Sequence, residues 1–303
     1  MNPNDADLAS LVTEADDPRY AQLDSLPVAD LARLMNEADA TVAGSVRQAL
    51  PQIVAAIEAA TARLAAGGRL IYVGAGTAGR IGVLDAAECL PTFNIWPGQV
   101  QALIAGGPPA IVSPAEGAED DETAGRAAID AIAVGPDDAV LGLASSGRTP
   151  YAVAALIRAR HRGAVTIGLS GNTGAKLSQV ADYAIEIDVG PEVIAGSTRL
   201  KAGTAQKMVL NMFSTITMIQ LGKTYGNLMV DVRATNHKLR DRAGRIVARI
   251  ARVSPARAAE TLTTVDYDVK LAALMLARDL DSATAATRLA DAGGRLRRAL
   301  EEV

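Results

Sequence analysis

The sequence predicts an α/β protein: a three-layer αβα domain built on a five-stranded parallel sheet, followed by a small C-terminal helical bundle. Three observations carry this. Short apolar runs alternate with helical patterns from Arg69 to Asp188. The first run turns at once through three glycines, in GAGTAGR. From Leu200 onward only helical patterns recur. Such alternation implies parallel pairing with right-handed crossovers, and ligands of these sheets sit at the carboxyl ends of the strands.

Residues 1–24 are polar and acidic and read as an extended arm. A short helix is expected from Ser25 to Asn36, with Pro27 in its first turn. A long one follows from Thr41 to Ala66, on Val42, Val46, Leu50, Ile53, Ile57 and Leu64. Pro51 is expected to kink it and Gly67-Gly68 to end it. Strands are expected at Arg69–Val73, Val100–Ala105, Asp138–Ala144, Ala164–Ser170 and Tyr183–Asp188. Between them fall a helix carrying Glu88, then Ala118–Ala133, Tyr151–Arg162 and a short helix near Ala175. Leu200–Gly222 and roughly Leu228–Val253 read as helices. Ser254–Val303 reads as three or four more, capped at Ser254, Asp266 and Asp281 and broken at Gly293-Gly294. The expected division is 1–242, arm and sheet domain with its following helices, and 243–303, a small helical domain.

Composition narrows the function classes. In a chain of 303 residues with net charge −4, nothing suggests a nucleic-acid surface. The single cysteine, Cys89, excludes an internal disulfide framework and fits a reducing cytoplasm. The N-terminus lacks signal-peptide architecture, and the most apolar stretch, Met208 to Leu221, is too short and polar to span a bilayer. It reads as a buried helix or a subunit interface. His161 and His237 stand alone, so no metal site is expected.

The glycine turn exposes backbone N–H groups where the following helix starts, a place for an anion. Its spacing is that of a dinucleotide fingerprint, but no Asp or Glu occurs between Glu88 and Glu116 to hold a ribose. A phosphorylated small molecule fits better than NAD. A second loop, Ser145-Ser146-Gly147-Arg148-Thr149-Pro150, offers three hydroxyls and free N–H groups at the same sheet edge. The acidic run from Glu116 through Glu119 to Glu122 suits a solvated helix start. It also follows the Gly106-Gly107 loop, at the same edge as Glu88. Two carboxylates converging on a sugar can act as an acid and base pair. Glu192, Ser197 and Lys201 follow the last strand, positioned either to hold sugar hydroxyls or to cap the next helix.

The runs LVTE, GRLIYVGAGTAGRIGVLDAAECLPTF, AEGAED, ASSGRTPY, GPEVIAGSTRLKAGTAQKMVLNM and GNLMVDVRATN resemble, in order over residues 11–236, the N-acetylmuramic acid 6-phosphate etherases of the sugar isomerase (SIS) superfamily. The resemblance implies cleavage of the D-lactyl ether of N-acetylmuramic acid 6-phosphate, giving N-acetylglucosamine 6-phosphate and D-lactate in cell-wall sugar catabolism. It implies a homodimer with the site at or near its interface, no cofactor, and a C-terminal domain of ubiquitin-associated type. Carried over residue by residue, Glu88 is the acid that protonates departing lactate and Glu119 the second catalytic group. Glu116 holds sugar hydroxyls. Ser145, Ser146, Gly147 and Thr149 hold the 6-phosphate, with charge from Arg148 or Lys201. Gly76 and Thr77 belong to the first anion loop.

The chain departs from the family pattern at Ala78 and Ala87, where serine is usual, and at Leu90, where proline is usual. Ala78 removes a hydroxyl donor from the first loop but keeps its N–H. Two other readings share the sheet and the phosphate loops: a non-catalytic phosphosugar sensor, and an aldose–ketose phosphosugar isomerase. The ECLPTF and EGAED blocks together are specific to the etherase branch and its regulatory relative, so an isomerase would not specifically need them, while the sensor is a much longer chain with two SIS domains where one is read here.

Overall fold

The computed structural model describes residues 11–234 and 236–301. They divide into two compact units: the described residues up to Ala86 with Gly98–Phe213, and Ala87–Pro97 with the described residues from Ser214 on. Of the expected arm, residues 1–10 lie outside the described chain. Residues 12–25 form three short 3₁₀ turns.

Helices α1 (Val28–Asp39), α2 (Val42–Gln48) and α3 (Leu50–Ala65) come first. The expected single long helix is therefore two, parted at Ala49. Pro51 explains the break: it has no N–H to give a preceding turn, and it sits in the first turn of α3, where none is needed. Next come β1 (Leu70–Gly74), α4 (Gly76–Phe93), β2 (Val100–Ile104), α5 (Pro109–Val112), α6 (Glu122–Ala131), β3 (Ala139–Ala144), α7 (Pro150–His161), β4 (Val165–Ser170), α8 (Lys176–Val180) and β5 (Tyr183–Glu186). The five strands form one sheet in the order β2-β1-β3-β4-β5, with every neighbouring pair parallel. Alternation assigns the faces. Ile71, Val73 and Val140 pack with Ile129 of α6 and Leu156 of α7. On the other face, α4 meets Tyr72 and Leu143.

The amino ends of β1 and β3 are tied by an ion pair. Arg69 donates to Asp138 through Nε and Nη2, at 2.9 and 2.6 Å, and through its own backbone N–H. The Gly135 N–H donates to the same carboxylate. The Arg69 guanidinium also reaches the carbonyls of Ile132 and Ala133. Burial pushes the Asp138 carboxyl up, but Arg69 and the Gly135 N–H outweigh it and hold the group below its usual range.

After β5 the long helix α9 (Lys201–Gln220) runs to a two-stranded hairpin, β6 (Thr224–Tyr225) and β7 (Leu228–Met229). The sequence reading placed a helix start at Leu228. Gly226, at φ +56°, with Asn227 instead makes a two-residue turn, and the helix α10 begins at His237 (to Ala251). Then follow α11 (Pro255–Thr264), α12 (Val269–Arg278), α13 (Ser282–Asp291) and α14 (Leu296–Glu301). Ser254 and Asp281 cap as expected, accepting from the N–H groups of Arg257 and Thr284. Asp266 does not: with Tyr267 it takes a left-handed backbone, and Asp268 caps α12 instead. The core of this unit joins Val230 and Val232 to Val247, Leu262, Leu274 and Leu296. No helix among the described residues is long and apolar enough to cross a membrane.

A carboxyl whose folded pKa is depressed stabilises the fold above its unfolded pKa of about 3.9 and loses that effect as pH falls. Asp138→Ala should therefore cost about 3 kcal/mol at neutral pH, because it strands Arg69. Urea denaturation should find the gap from the parent closing below about pH 4. A gap that does not narrow at all as the pH falls from neutral to well below about 4 would assign the loss to packing rather than charge. Gly79→Ala should cost about 1–3 kcal/mol by overpacking, since the added methyl would lie 2.7 Å from Ile104 Cγ1 and 2.9 Å from the Gly74 carbonyl oxygen. An unchanged denaturation midpoint would mean that α4 can shift freely on the sheet.

Candidate active site

The carboxyl ends of β1, β2 and β3 carry the three loops singled out by sequence. From β1 the chain enters α4 through Gly76, which is exposed and left-handed at φ +52°. Thr77 follows in the first turn and its Cγ2 approaches Gly203 of α9. From β2 it turns through Gly106-Gly107 into α5 and then back along Pro114–Glu119. Gly106 permits that return: a Cβ there would lie 2.5 Å from Ala115 Cβ, and its φ of +81° is one that side chains rarely adopt.

The expected helix from Ala118 begins only at Glu122. Asp121 is its N-cap, accepting from the Ala124 N–H at 2.8 Å, because aspartate satisfies a free helix N–H better than it serves inside a helix. Residues Ala118–Asp120 are left as a 3₁₀ turn, entered through a left-handed Gly117. Glu116 and Glu119 are both exposed and line one cavity of about 200 Å³ together with Gly76 and Arg80. Arg80 escaped the sequence reading. Its guanidinium donates to the carbonyls of Ile111 at 3.0 Å and Ser113 at 3.4 Å, which ties the glutamate-bearing loop to the first turns of α4. Glu88 is exposed on α4 in the second unit, beside the buried Cys89. A larger groove of about 610 Å³ runs along β2 and α6, but it is lined by apolar side chains apart from Tyr151 and offers no acid or base pair.

The third loop, Ser145–Thr149, joins β3 to α7. Gly147 is buried there at φ +68°, and the Ser146 hydroxyl accepts from the Arg148 N–H. Thr149 stands at the N-cap of α7 without spending its side chain on a cap bond. One amide organises this loop from beneath. Asn172, just after β4 and 4% exposed, donates from Nδ2 to the carbonyls of Ser145 and Ser146 and to Thr13 Oγ1. Its Oδ1 accepts from the Val12 N–H at 2.9 Å. The segment at residues 12–13 is thereby pinned under the loop. Neither Asn172 nor Thr13 was identified from sequence; the one signal was a polar residue directly after a buried strand.

Glu192 is 1% exposed and accepts from the Lys201 and Ala202 N–H groups at 3.0 and 2.9 Å. It caps α9, the second of the two uses left open by sequence. Lys201 turns its ammonium to the Val189 carbonyl. Burial pushes that ammonium below its ordinary range, and the Glu192 carboxylate beside it opposes the shift. Ser197 lies in the preceding turn, its N–H on the Ile194 carbonyl, next to Gly196, which sits against the Glu14 carboxylate. Among the described residues no cluster of His, Cys, Asp and Glu is arranged to hold a metal ion.

Asn172→Ala leaves the Val12 N–H and the Ser146 carbonyl without the Asn172 partner, while the Ser145 carbonyl keeps the Gly171 N–H, and should cost about 2 kcal/mol by urea denaturation. Amide exchange at Val12 should rise in step. A stable variant with a protected Val12 would show that the segment is held by something other than this amide.

The family profile described as "Glucokinase regulatory protein N-terminal SIS domain" matches residues 52–160, and "SIS domain" matches 122–216. The N-acetylmuramic acid 6-phosphate etherase of Streptomyces coelicolor is 58% identical over 97% of this chain and 94% of its own length. Those of Rubrobacter xylanophilus and Mycolicibacterium smegmatis are 54% and 53% identical, over 98% and 97% of this chain and 98% and 99% of theirs. Among solved structures, a phosphoheptose isomerase from Francisella tularensis overlays at a TM-score of 0.48 and 19% identity, over 64% of this chain and 100% of that one. With such identity along nearly its whole length, the chain belongs to the N-acetylmuramic acid 6-phosphate etherase family.

Proposed function

We propose that the protein cleaves the D-lactyl ether of N-acetylmuramic acid 6-phosphate by elimination and hydration, a carbon–oxygen lyase reaction of cell-wall sugar catabolism. The observation that carries the reading is that Glu116, Glu119, Gly76 and Arg80 line one cavity at the carboxyl ends of the strands. With the sugar ring open, C1 is an aldehyde and the C2 proton is acidic. A carboxylate removes it, and the ether at C3 is then β to an enolate. The C3–O bond breaks as the departing lactate oxygen takes a proton. Water adds at C3, a proton returns to C2, and the products are N-acetylglucosamine 6-phosphate and D-lactate.

Glu119 is the base at C2 and Glu88 the acid at the lactate oxygen, while Glu116 holds sugar hydroxyls. Ser145, Ser146, Gly147 and Thr149 receive the 6-phosphate with the open N-terminus of α7, and Gly76 and Thr77 supply the second set of N–H donors. Ser197 borders the site. Glu192 and Lys201 fix the start of α9, and because Lys201 is committed to Val189, the positive charge for the phosphate falls to Arg148 of the same loop. The exposure of Glu116 and Glu119 suits a site closed by a second subunit, and we assign a homodimer acting in the cytoplasm. Residues 243–303 are assigned as the small helical domain of ubiquitin-associated type.

Each carboxylate should contribute about 10²–10⁴-fold to D-lactate release, so Glu88→Ala and Glu119→Ala should each lose at least that. In deuterated water the first should still exchange the C2 proton and the second should not. The reverse pattern swaps the roles. Phosphosugar binding with no lactate from the parent protein makes it a sensor, and a ketose phosphate makes it an isomerase.

A further inference from the structure

Along α9 the residues Ala202, Gln206, Val209 and Phe213 form one buried stripe at helical spacing. Gln206 is its polar member, and it is only 3% exposed. Its Nε2 donates to Ser145 Oγ at 3.1 Å. Its Oε1 has no hydrogen-bond partner among the described residues. A buried amide with an idle oxygen is costly, and an apolar side chain would suit the stripe better. The retained N–H donor therefore points to a task at Ser145.

A serine hydroxyl has one hydrogen and two acceptor positions. By filling an acceptor position from the protein side, Gln206 leaves the Ser145 hydrogen for something else. The rest of the loop is turned the same way, since the Ser145 and Ser146 carbonyls are taken by Asn172 and the Ser146 hydroxyl accepts from Arg148 N–H. A phosphate dianion presents acceptors only, so a loop built to hold one must face it with donors.

We propose that Gln206 is a positioning residue that fixes the Ser145 hydroxyl as a hydrogen-bond donor to the phosphate of the substrate. This rests on the assignment of the Ser145–Thr149 loop as the phosphate site. Gln206 touches no substrate; it acts through Ser145.

The test uses the intact protein with inorganic phosphate as probe, read as competitive inhibition of D-lactate release and by calorimetry. Ser145→Ala and Gln206→Met should each weaken phosphate binding about tenfold, the worth of one hydrogen bond to a charged group. The double variant should be no weaker than Ser145→Ala alone, because the two remove one function. KM for the phosphosugar should rise more than kcat falls. Gln206→Glu keeps the shape but only accepts, so it turns the Ser145 hydrogen inward and should weaken phosphate more than Gln206→Met. Part of that excess should vanish in the Ser145→Ala background, where the new charge persists but the hydroxyl is gone. Normal phosphate affinity in Gln206→Met or Gln206→Glu, with Ser145→Ala impaired, overturns the role of Gln206 and leaves the phosphate loop standing. Normal affinity in Ser145→Ala overturns the loop assignment and this inference with it.

Discussion

The close approach of α4 to β1 is the constraint on which the ligand edge depends. Gly79 and Gly82 sit one turn apart on the face of α4 that meets the sheet, and a Cβ at either would press on Gly74, Ile104 or Tyr72. Asp85, one turn further along, accepts from the Tyr72 hydroxyl at 2.7 Å and from Asn211 of α9 at 2.8 Å. Backbone contact, then a buried hydrogen-bonded carboxylate, fixes the helix in depth and in rotation. The consequence is local and chemical. The first turn of α4 opens at the strand ends, and Arg80 is tied to the loop that bears Glu116 and Glu119.

That loop is held by an unusual division of labour among acidic residues close in sequence. Asp121 caps α6 and Glu122 pairs with Arg126 on the helix surface. Glu116 and Glu119 are left for the cavity. Had Asp121 joined the helix, as a continuous helix from Ala118 requires, Glu119 would lie within a helical turn rather than on a 3₁₀ turn at the cavity. One capping bond thus separates the carboxylate spent on the helix from those that line the cavity. The same economy appears across the sheet edge, where Glu192 accepts from the first N–H groups of α9 and the Lys201 ammonium is turned to the Val189 carbonyl.

Much of the fold was legible because its signals are local. Alternating apolar runs mark the five strands, glycines mark the turns, and Ser254 and Asp281 mark helix starts. The misreadings were also local rivalries between signals. The apolar pattern from Leu228 outweighed the Gly226-Asn227 turn. The spacing of Val42 to Leu64 outweighed Pro51. Asp266 reads as a cap by residue type, but two consecutive left-handed residues, Asp266 and Tyr267, shift the helix start so that Asp268 caps it.

The sequence by itself determined the fold class, the family and the residue types the chemistry needs, because glycine turns, loop hydroxyls and paired carboxylates are recorded in short contiguous motifs. Only the tertiary structure decided which polar residues serve the site and which serve the scaffold. Asn172, Gln206 and Arg80 meet their partners across gaps of many residues, and Glu192 spends its carboxylate on a helix. A side chain's role is set by the donors and acceptors that surround it in space, and those come from elements the chain visits at widely separated positions.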